Sequence, residues 1–316
     1  MPAPLHVPAP EAAAQAIAAA HADLRIERDA DPHAVPADGS VYAVTHAAAR
    51  RLGFGPADAA VLASAWVRRA TRLGLQPHDW PDDPQDFGLA LHPQPFPPCP
   101  HDMGLYAVLP NADWVARMAA AGVPTLQLRF KHDDPGRIAS EVQAAVRAVE
   151  GTSARLFIND HWRAALDVGA YGVHLGQEDL DTLTPDDIAT LRASGLRLGI
   201  STHGYAELVR AWRLGPSYLA LGAVFPTTLK AMPTAPQGVG RLRAYARLVR
   251  AVPIVAIGGI GLAELPAVAA SGVGAFAVVR AIVQAPDPEA AARALMQRWG
   301  ELRADARRDH PPPTGL

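Results

Sequence analysis

The chain has 316 residues, with 29 lysines and arginines against 31 aspartates and glutamates, a formal charge of -2. That balance argues against a general nucleic-acid coat, leaving room only for a local basic patch, and 49% hydrophobic with 19% charged residues argues against disorder. The length allows one large domain or two smaller ones, and the single cysteine, Cys99, excludes an internal disulfide framework, a zinc-cysteine cluster and a CxxC redox pair. The start, MPAPLHVPAPEAAAQ, has no basic segment leading into an apolar one, so a secretory signal is not expected there. No run reaches the roughly 18 apolar residues of a membrane span. The expectation is a cytoplasmic protein that binds neither nucleic acid nor membrane.

In chain order, the Ala-rich segment 9–22 predicts a helix, because alanine has the highest helix propensity. SVYAVTHAAARRLG, from Ser40, reads as a short strand feeding a helix. PADAAVLASAWVRRATRLG gives the best helical segment of this part: Pro56 suits a first turn, Gly74 suits a stop, and Val61, Leu62, Ala65, Trp66 and Leu73 roughly share a face. The breaker-rich stretch from Pro77 to Pro100 reads as a loop or linker, with a domain boundary near residue 100. From Met103 the sequence becomes rhythmic. Candidate strands lie at 104–109, 125–130, 155–159, 171–175, 196–200, 217–222, 253–258 and 274–279, most of them separated by Ala-rich helical segments. Their apolar residues are dense rather than alternating, as in strands covered on both faces. Strand then helix, eight times in about 200 residues, predicts an α/β fold of the (β/α)8 TIM-barrel type. An open doubly wound sheet would show a glycine-rich loop after its first strand, and YAVLPNAD has none.

A barrel carries its chemistry at the C-terminal strand ends. There the sequence places Gln127, Arg129 and Lys131; Asn159 and Asp160; His174, Gln177, Glu178 and Asp179; Ser201, Thr202 and His203; Thr227, Thr228 and Lys230; and Gly258 and Gly259. Six of these have an ordinary alternative: solvated charges for Arg129 and Lys131, a core histidine for His174, a helix-start group for His203, helix caps for Asp160 and Asp179. Independent solvated residues, however, have no reason to gather at the same end of six strands. Two carboxylates from neighbouring strands suit Mg²⁺, which takes few protein oxygens and leaves room for phosphate. Arg129 and Lys131 add fixed positive charge, and the backbone of Ile257–Ile260 offers a phosphate cradle. The pattern suggests two phosphorylated substrates joined with loss of diphosphate.

The segments QLRFK (127–131), IND (158–160), GVHLGQEDL (172–180), GISTH (199–203), GAVFPT (222–227), KAMPTAPQG (230–238) and AIGGI (256–260) resemble, in order, the thiamine-phosphate synthase family over about residues 103–300. The resemblance implies coupling of 4-amino-2-methyl-5-(diphosphomethyl)pyrimidine to thiazole phosphate, with a dissociative departure of diphosphate assisted by Mg²⁺. It implies Asp160 and Asp179 as metal ligands, and Arg129, Lys131, Asn159 and Lys230 as catalytic diphosphate contacts. Gln127 and Ser201 fall at the pyrimidine, and Thr227, Gly259 and the strand-eight loop at the thiazole phosphate. Many relatives read P-T-x-T-K, whereas this chain has Leu229 in place of the second threonine; Thr228 and Arg280 are the candidates to compensate. A thiazole tautomerase of the same superfamily and a non-enzymatic phosphate-binding barrel are the alternatives. Residues 1–100 are expected to be a non-catalytic extension, 101–300 the barrel and 301–316 a flexible tail. The partners expected are the two small-molecule substrates, and a homo-oligomer is compatible with the sequence.

Overall fold

A computed structural model describes residues 6–227 and 235–309. Eight parallel strands close into a barrel in sequence order: β1 (Gly104–Leu109), β2 (Thr125–Leu128), β3 (Arg155–Asn159), β4 (Gly172–Leu175), β5 (Arg197–Thr202), β6 (Tyr218–Leu221), β7 (Ile254–Ile257) and β8 (Ala275–Val278). The ring shuts where β8 pairs with β1, Phe276 opposite Leu105 and Val278 opposite Ala107. Three helices precede the barrel, α1 (Pro10–Ala20), α2 (Val41–Arg51) and α3 (Pro56–Leu73). The barrel helices are α4 (Ala112–Ala120), α5 (Pro135–Val149), α6 (Trp162–Asp167), α7 (Gln177–Thr182), α8 (Pro185–Ala193), α9 (Tyr205–Trp212), α10 (Gly238–Leu248), α11 (Leu265–Ala270), α12 (Arg280–Val283) and α13 (Pro288–Asp309).

Side chains alternate across each strand. In β1 the outward set, Leu105, Ala107 and Leu109, joins the large core beneath the helices. The inward set, Tyr106 and Val108, joins Phe157, Tyr218, Ala220, Val255, Ala275 and Ala277 in a separate cluster that fills the barrel. Room for the Tyr218 ring comes from Gly199 on β5, where an added Cβ would stand 2.0 Å from the phenol. Cys99 and Met103 also belong to the interior cluster, and burial pushes the Cys99 thiol up to about 12, which leaves it unreactive.

The expected strand at Ser40 is instead the start of α2. The Ser40 hydroxyl accepts from Ala43 N at 3.1 Å, an N-cap that turns the following Ala-rich run into helix from its first residue. On α3, Leu62, Ala65 and Trp66 are buried as the shared face requires, but Val61 is half-buried and Leu73 lies exposed on the last turn.

The segment 77–100 is a strap laid along the barrel. Trp80 donates to the Tyr205 hydroxyl (3.0 Å), Phe87 stacks on Tyr205, and the Ala90 carbonyl accepts from the Trp212 indole (2.7 Å). Phe96 N bonds Gly215 O at 2.8 Å. From the barrel side, buried Arg241 on α10 donates to Leu24 O and Leu52 O, each at 2.9 Å, and lies over the Phe54 ring. The first hundred residues therefore share one apolar core with the barrel helices. At the other end α13 continues to Asp309, past the expected boundary at 300.

Candidate active site

One cavity of about 920 Å³ opens at the C-terminal ends of the strands. Gln127, Arg129, Lys131, Asn159, Asp160, Asp179, Ser201, Thr227, Gly259 and Arg280 all line it. Thr228, Leu229 and Lys230 lie outside the described residues. Val108, Ala220, Val255 and Ala277 form an apolar lower wall, suited to a flat ring.

Asp160 is the one non-glycine residue with positive φ among those described (63°). Aspartate tolerates that left-handed backbone better than most residues, and the turn takes the chain sharply out of β3. Its amide donates to the His174 carbonyl at 3.0 Å, which ties the end of β3 to the end of β4. The side chain does not cap α6; it pairs with Lys131. Asp179 stands in the first turn of α7 and accepts from Gly176 N at 2.7 Å, so its capping role is real but uses one oxygen. Partial burial and then the nearby Asp160 raise the Asp179 carboxyl above the usual range, against the pull of the Gly176 amide.

Asp160 raises the Asp179 carboxyl, so the two carboxylates feel each other's charge, and Lys131 on Asp160 offsets only part of it; the pair can take a further cation. Their donors are hard oxygens, and no cluster of three or more His, Cys, Asp or Glu side chains forms a metal cage among the described residues. The donor set fits Mg²⁺, which completes its shell with water and phosphate oxygens, and does not fit a zinc site.

Across the mouth, the turn after β7 passes through Gly258 (φ 102°) and Gly259 (φ 67°). A Cβ on Gly259 would stand 2.5 Å from Pro226 O, so only glycine lets this backbone approach the loop after β6. Arg280 opens α12, and its guanidinium reaches the Thr227 hydroxyl at 3.5 Å. A cation, a hydroxyl and a side-chain-free turn thus converge opposite the carboxylates. His203 bonds Glu207 through its ring (2.7 Å) and its amide (2.8 Å), and both residues line the cavity.

Sequence reasoning missed the floor. Gln127 donates to the Tyr106 hydroxyl (3.0 Å), the Tyr106 and Tyr218 hydroxyls share a hydrogen bond (2.7 Å), Tyr218 meets His174 Nδ1 (2.7 Å), and His174 Nε2 meets the Ser201 hydroxyl (2.8 Å). Burial depresses the His174 imidazole to about 4, so the ring is neutral at pH 7. The tyrosines sit in apolar strand runs and carry no sequence signal beyond their inward register.

A closed parallel barrel with carboxylates, cations and a glycine turn gathered at the C-terminal strand ends has the architecture of a TIM-barrel enzyme. The profile of the thiamine monophosphate synthase family matches residues 105–282, and the chain belongs to that family. It is 53% identical over 194 residues to the thiamine-phosphate synthase of Neisseria meningitidis serogroup A, covering 61% of this chain and 93% of the relative. It is 50% identical over 198 residues to that of Escherichia coli O6:H1, covering 63% and 92%. Among solved structures, thiamine phosphate pyrophosphorylase from Pyrococcus furiosus superposes with a TM-score of 0.55 at 28% identity, over 64% of this chain and 98% of the other. The family match begins at Leu105, so the extension and strap lie outside it.

Proposed function

We propose that this enzyme makes thiamine phosphate by joining an aminopyrimidine methyl diphosphate to a thiazole phosphate, with release of diphosphate. Family membership supports the product, and the single observation that carries the chemistry is the arrangement of charge in one cavity: Asp160, Asp179 and Lys131 on one side, Thr227, Gly259 and Arg280 on the other. With Mg²⁺ on its carboxylates the first side suits a diphosphate, the second suits a phosphate, and the apolar wall between suits the rings.

Arg129, Lys131 and Asn159 hold the diphosphate oxygens, with Lys230 assigned there from the sequence. Gln127 and Ser201 orient the aminopyrimidine. Thr227, the Gly259 backbone and Arg280 hold the thiazole phosphate, Arg280 supplying a charged donor where Leu229 has no hydroxyl to give. Asp160 and Asp179 would hold Mg²⁺, which when bound neutralises charge on the diphosphate. As the carbon–oxygen bond to diphosphate breaks, its electron pair leaves with the diphosphate, and Arg129 and Lys131 stabilise that charge. The aminopyrimidine ring delocalises the positive charge left on its methylene, and the thiazole nitrogen then attacks that carbon. No protein nucleophile takes part. The enzyme works in the cytoplasm on small molecules. No described helix is long and apolar enough to cross a membrane.

The test is an assay of purified protein with both substrates, following thiamine phosphate and diphosphate together, with Mg²⁺ and with excess chelator. Equal yields of the two products that vanish with chelation are expected. Thiamine phosphate formed at full rate in chelator would remove the metal from the mechanism.

A further inference from the structure

The hydrogen-bonded chain Gln127–Tyr106–Tyr218–His174–Ser201 crosses the barrel interior beneath the cavity; Gln127 and Ser201 are its two ends on the cavity wall, and Tyr106 and His174 border the cavity between them. Every link joins groups that either donate or accept, so protons must be ordered in one direction along it. In one order the Gln127 amide donates to Tyr106, Tyr106 to Tyr218, Tyr218 to His174 Nδ1, and His174 Nε2–H to Ser201. Ser201 then turns its own proton into the cavity, and Gln127 keeps its carbonyl as the accepting end. In the reverse order Ser201 donates to His174, and the proton of Tyr106 finds an acceptor only if the Gln127 amide flips. Ser201 then becomes an acceptor and Gln127 a donor.

The first order is favoured by the groups themselves. A phenol is a stronger donor and a weaker acceptor than an alkyl alcohol, because its oxygen lone pair is drawn into the ring. Tyr218 is therefore better placed giving its proton to Nδ1, and Ser201 better placed receiving one from Nε2. The rings of His174 and Tyr218 stack with an interplanar angle of 22°, and Gly199 leaves the space for the phenol, so the link is built into the packing.

We infer that Tyr106, Tyr218 and His174 are positioning residues that fix Ser201 as a donor and Gln127 as an acceptor, and so select a ring bearing an amino group and a ring nitrogen over its oxo counterpart. The selectivity rests on the placement of the pyrimidine proposed above; the proton order in the free protein does not.

Two experiments separate these. The first reads the His174 tautomer by ¹⁵N NMR of the full chain without substrate. An Nε2–H tautomer is expected, becoming mixed in Tyr218→Phe, and an Nδ1–H tautomer in the unaltered protein would overturn the order. The second compares the 4-amino and 4-oxo pyrimidine diphosphates as substrates. Tyr218→Phe should lower kcat/KM for the amino compound by about tenfold, the scale of one hydrogen bond, and lower amino-over-oxo selectivity by a similar factor. KM for thiazole phosphate should stay within about twofold. Tyr106→Phe, which acts from the opposite end, should do the same and serves if Tyr218→Phe folds poorly. In Ser201→Ala background, Tyr218→Phe should cost much less than alone. Wild-type selectivity in both phenylalanine variants, with Ser201→Ala impaired, would overturn the chain's role while sparing the pyrimidine placement. Unimpaired Ser201→Ala and Gln127→Ala would overturn that placement and the selectivity with it.

Discussion

His174 shows how much one residue's setting decides. It lies in an apolar strand run, where a core histidine and a chemical group look alike in sequence. In the barrel it is both: buried, neutral, and bonded at each ring nitrogen. Its folded-state value of about 4, against 6.5 for the free group, means that between those values the unfolded chain binds the extra proton. Stability should therefore rise with pH from about 4 to 6.5, by at most about 3 kcal/mol from this residue, and be flat in its contribution above. Denaturant midpoints between pH 4.5 and 7.5 measure this, and His174→Asn should flatten the slope over the acidic part. A slope unchanged in the variant would assign the acid sensitivity elsewhere. Asp160 and Asp179 were legible because carboxylates at adjacent strand ends are unusual, and the left-handed turn at Asp160 was not, since aspartate is common in loops of every kind. Tyr106 and Tyr218 were hidden for the opposite reason: an inward tyrosine reads as core until its hydroxyl partner across the barrel is known.

Strands were the most legible elements, since eight dense apolar runs with glycine-punctuated helices between them leave few other folds. Their ends moved by a residue or two, as at β2, which stops at Leu128 so that Arg129 and Lys131 leave the sheet for the mouth. At Ser40 the strand propensity of VYAV predicts a strand, and the serine cap with its alanine run outweighs it. Glycines separate by element in a testable way. Gly199→Ala puts a methyl into the Tyr218 ring from neighbouring β6, and overpacking of this kind costs about 1–3 kcal/mol. Gly300, inside α13, has open space at its Cβ position, so Gly300→Ala should stabilise by about 0.5–1 kcal/mol. Thermal unfolding of the two variants should move in opposite directions, and a neutral Gly199→Ala would mean that the interior phenol has room to shift.

At the scale of the whole molecule, the question is whether the barrel stands without the first hundred residues. The eight strands were legible, the extension's relation to them was not, because a Pro-rich stretch such as 77–100 has the composition of a linker whether it hangs free or lies on a surface. In the fold it lies on the surface of α9 and the turn that follows. Phe54, Trp80 and Phe87 group around Tyr205, and Phe96 packs under Arg192 of α8. Asp58 on α3 accepts from Ala206 N at 2.8 Å, so the extension also caps α9, the helix that follows the Ser201–His203 end of β5. Removing residues 1–100 would strip those aromatic rings from the barrel, each worth about 1.5–3 kcal/mol when fully buried, and leave Arg241 without the two carbonyls it holds. We expect full-length protein to unfold in one cooperative transition. A chain starting near Pro100 should melt at least 10 °C lower, given about 2–4 °C per kcal/mol for a domain of roughly 200 residues, and aggregate on concentration. The side chains proposed for catalysis all come from the barrel, so whatever fraction stays folded at low temperature should still turn over. Calorimetry and turnover of the two chains at matched concentration decide it: equal melting temperatures would make the extension an independent attachment, and a folded but inactive truncation would place part of the active-site geometry under the control of α3 and its Asp58 cap.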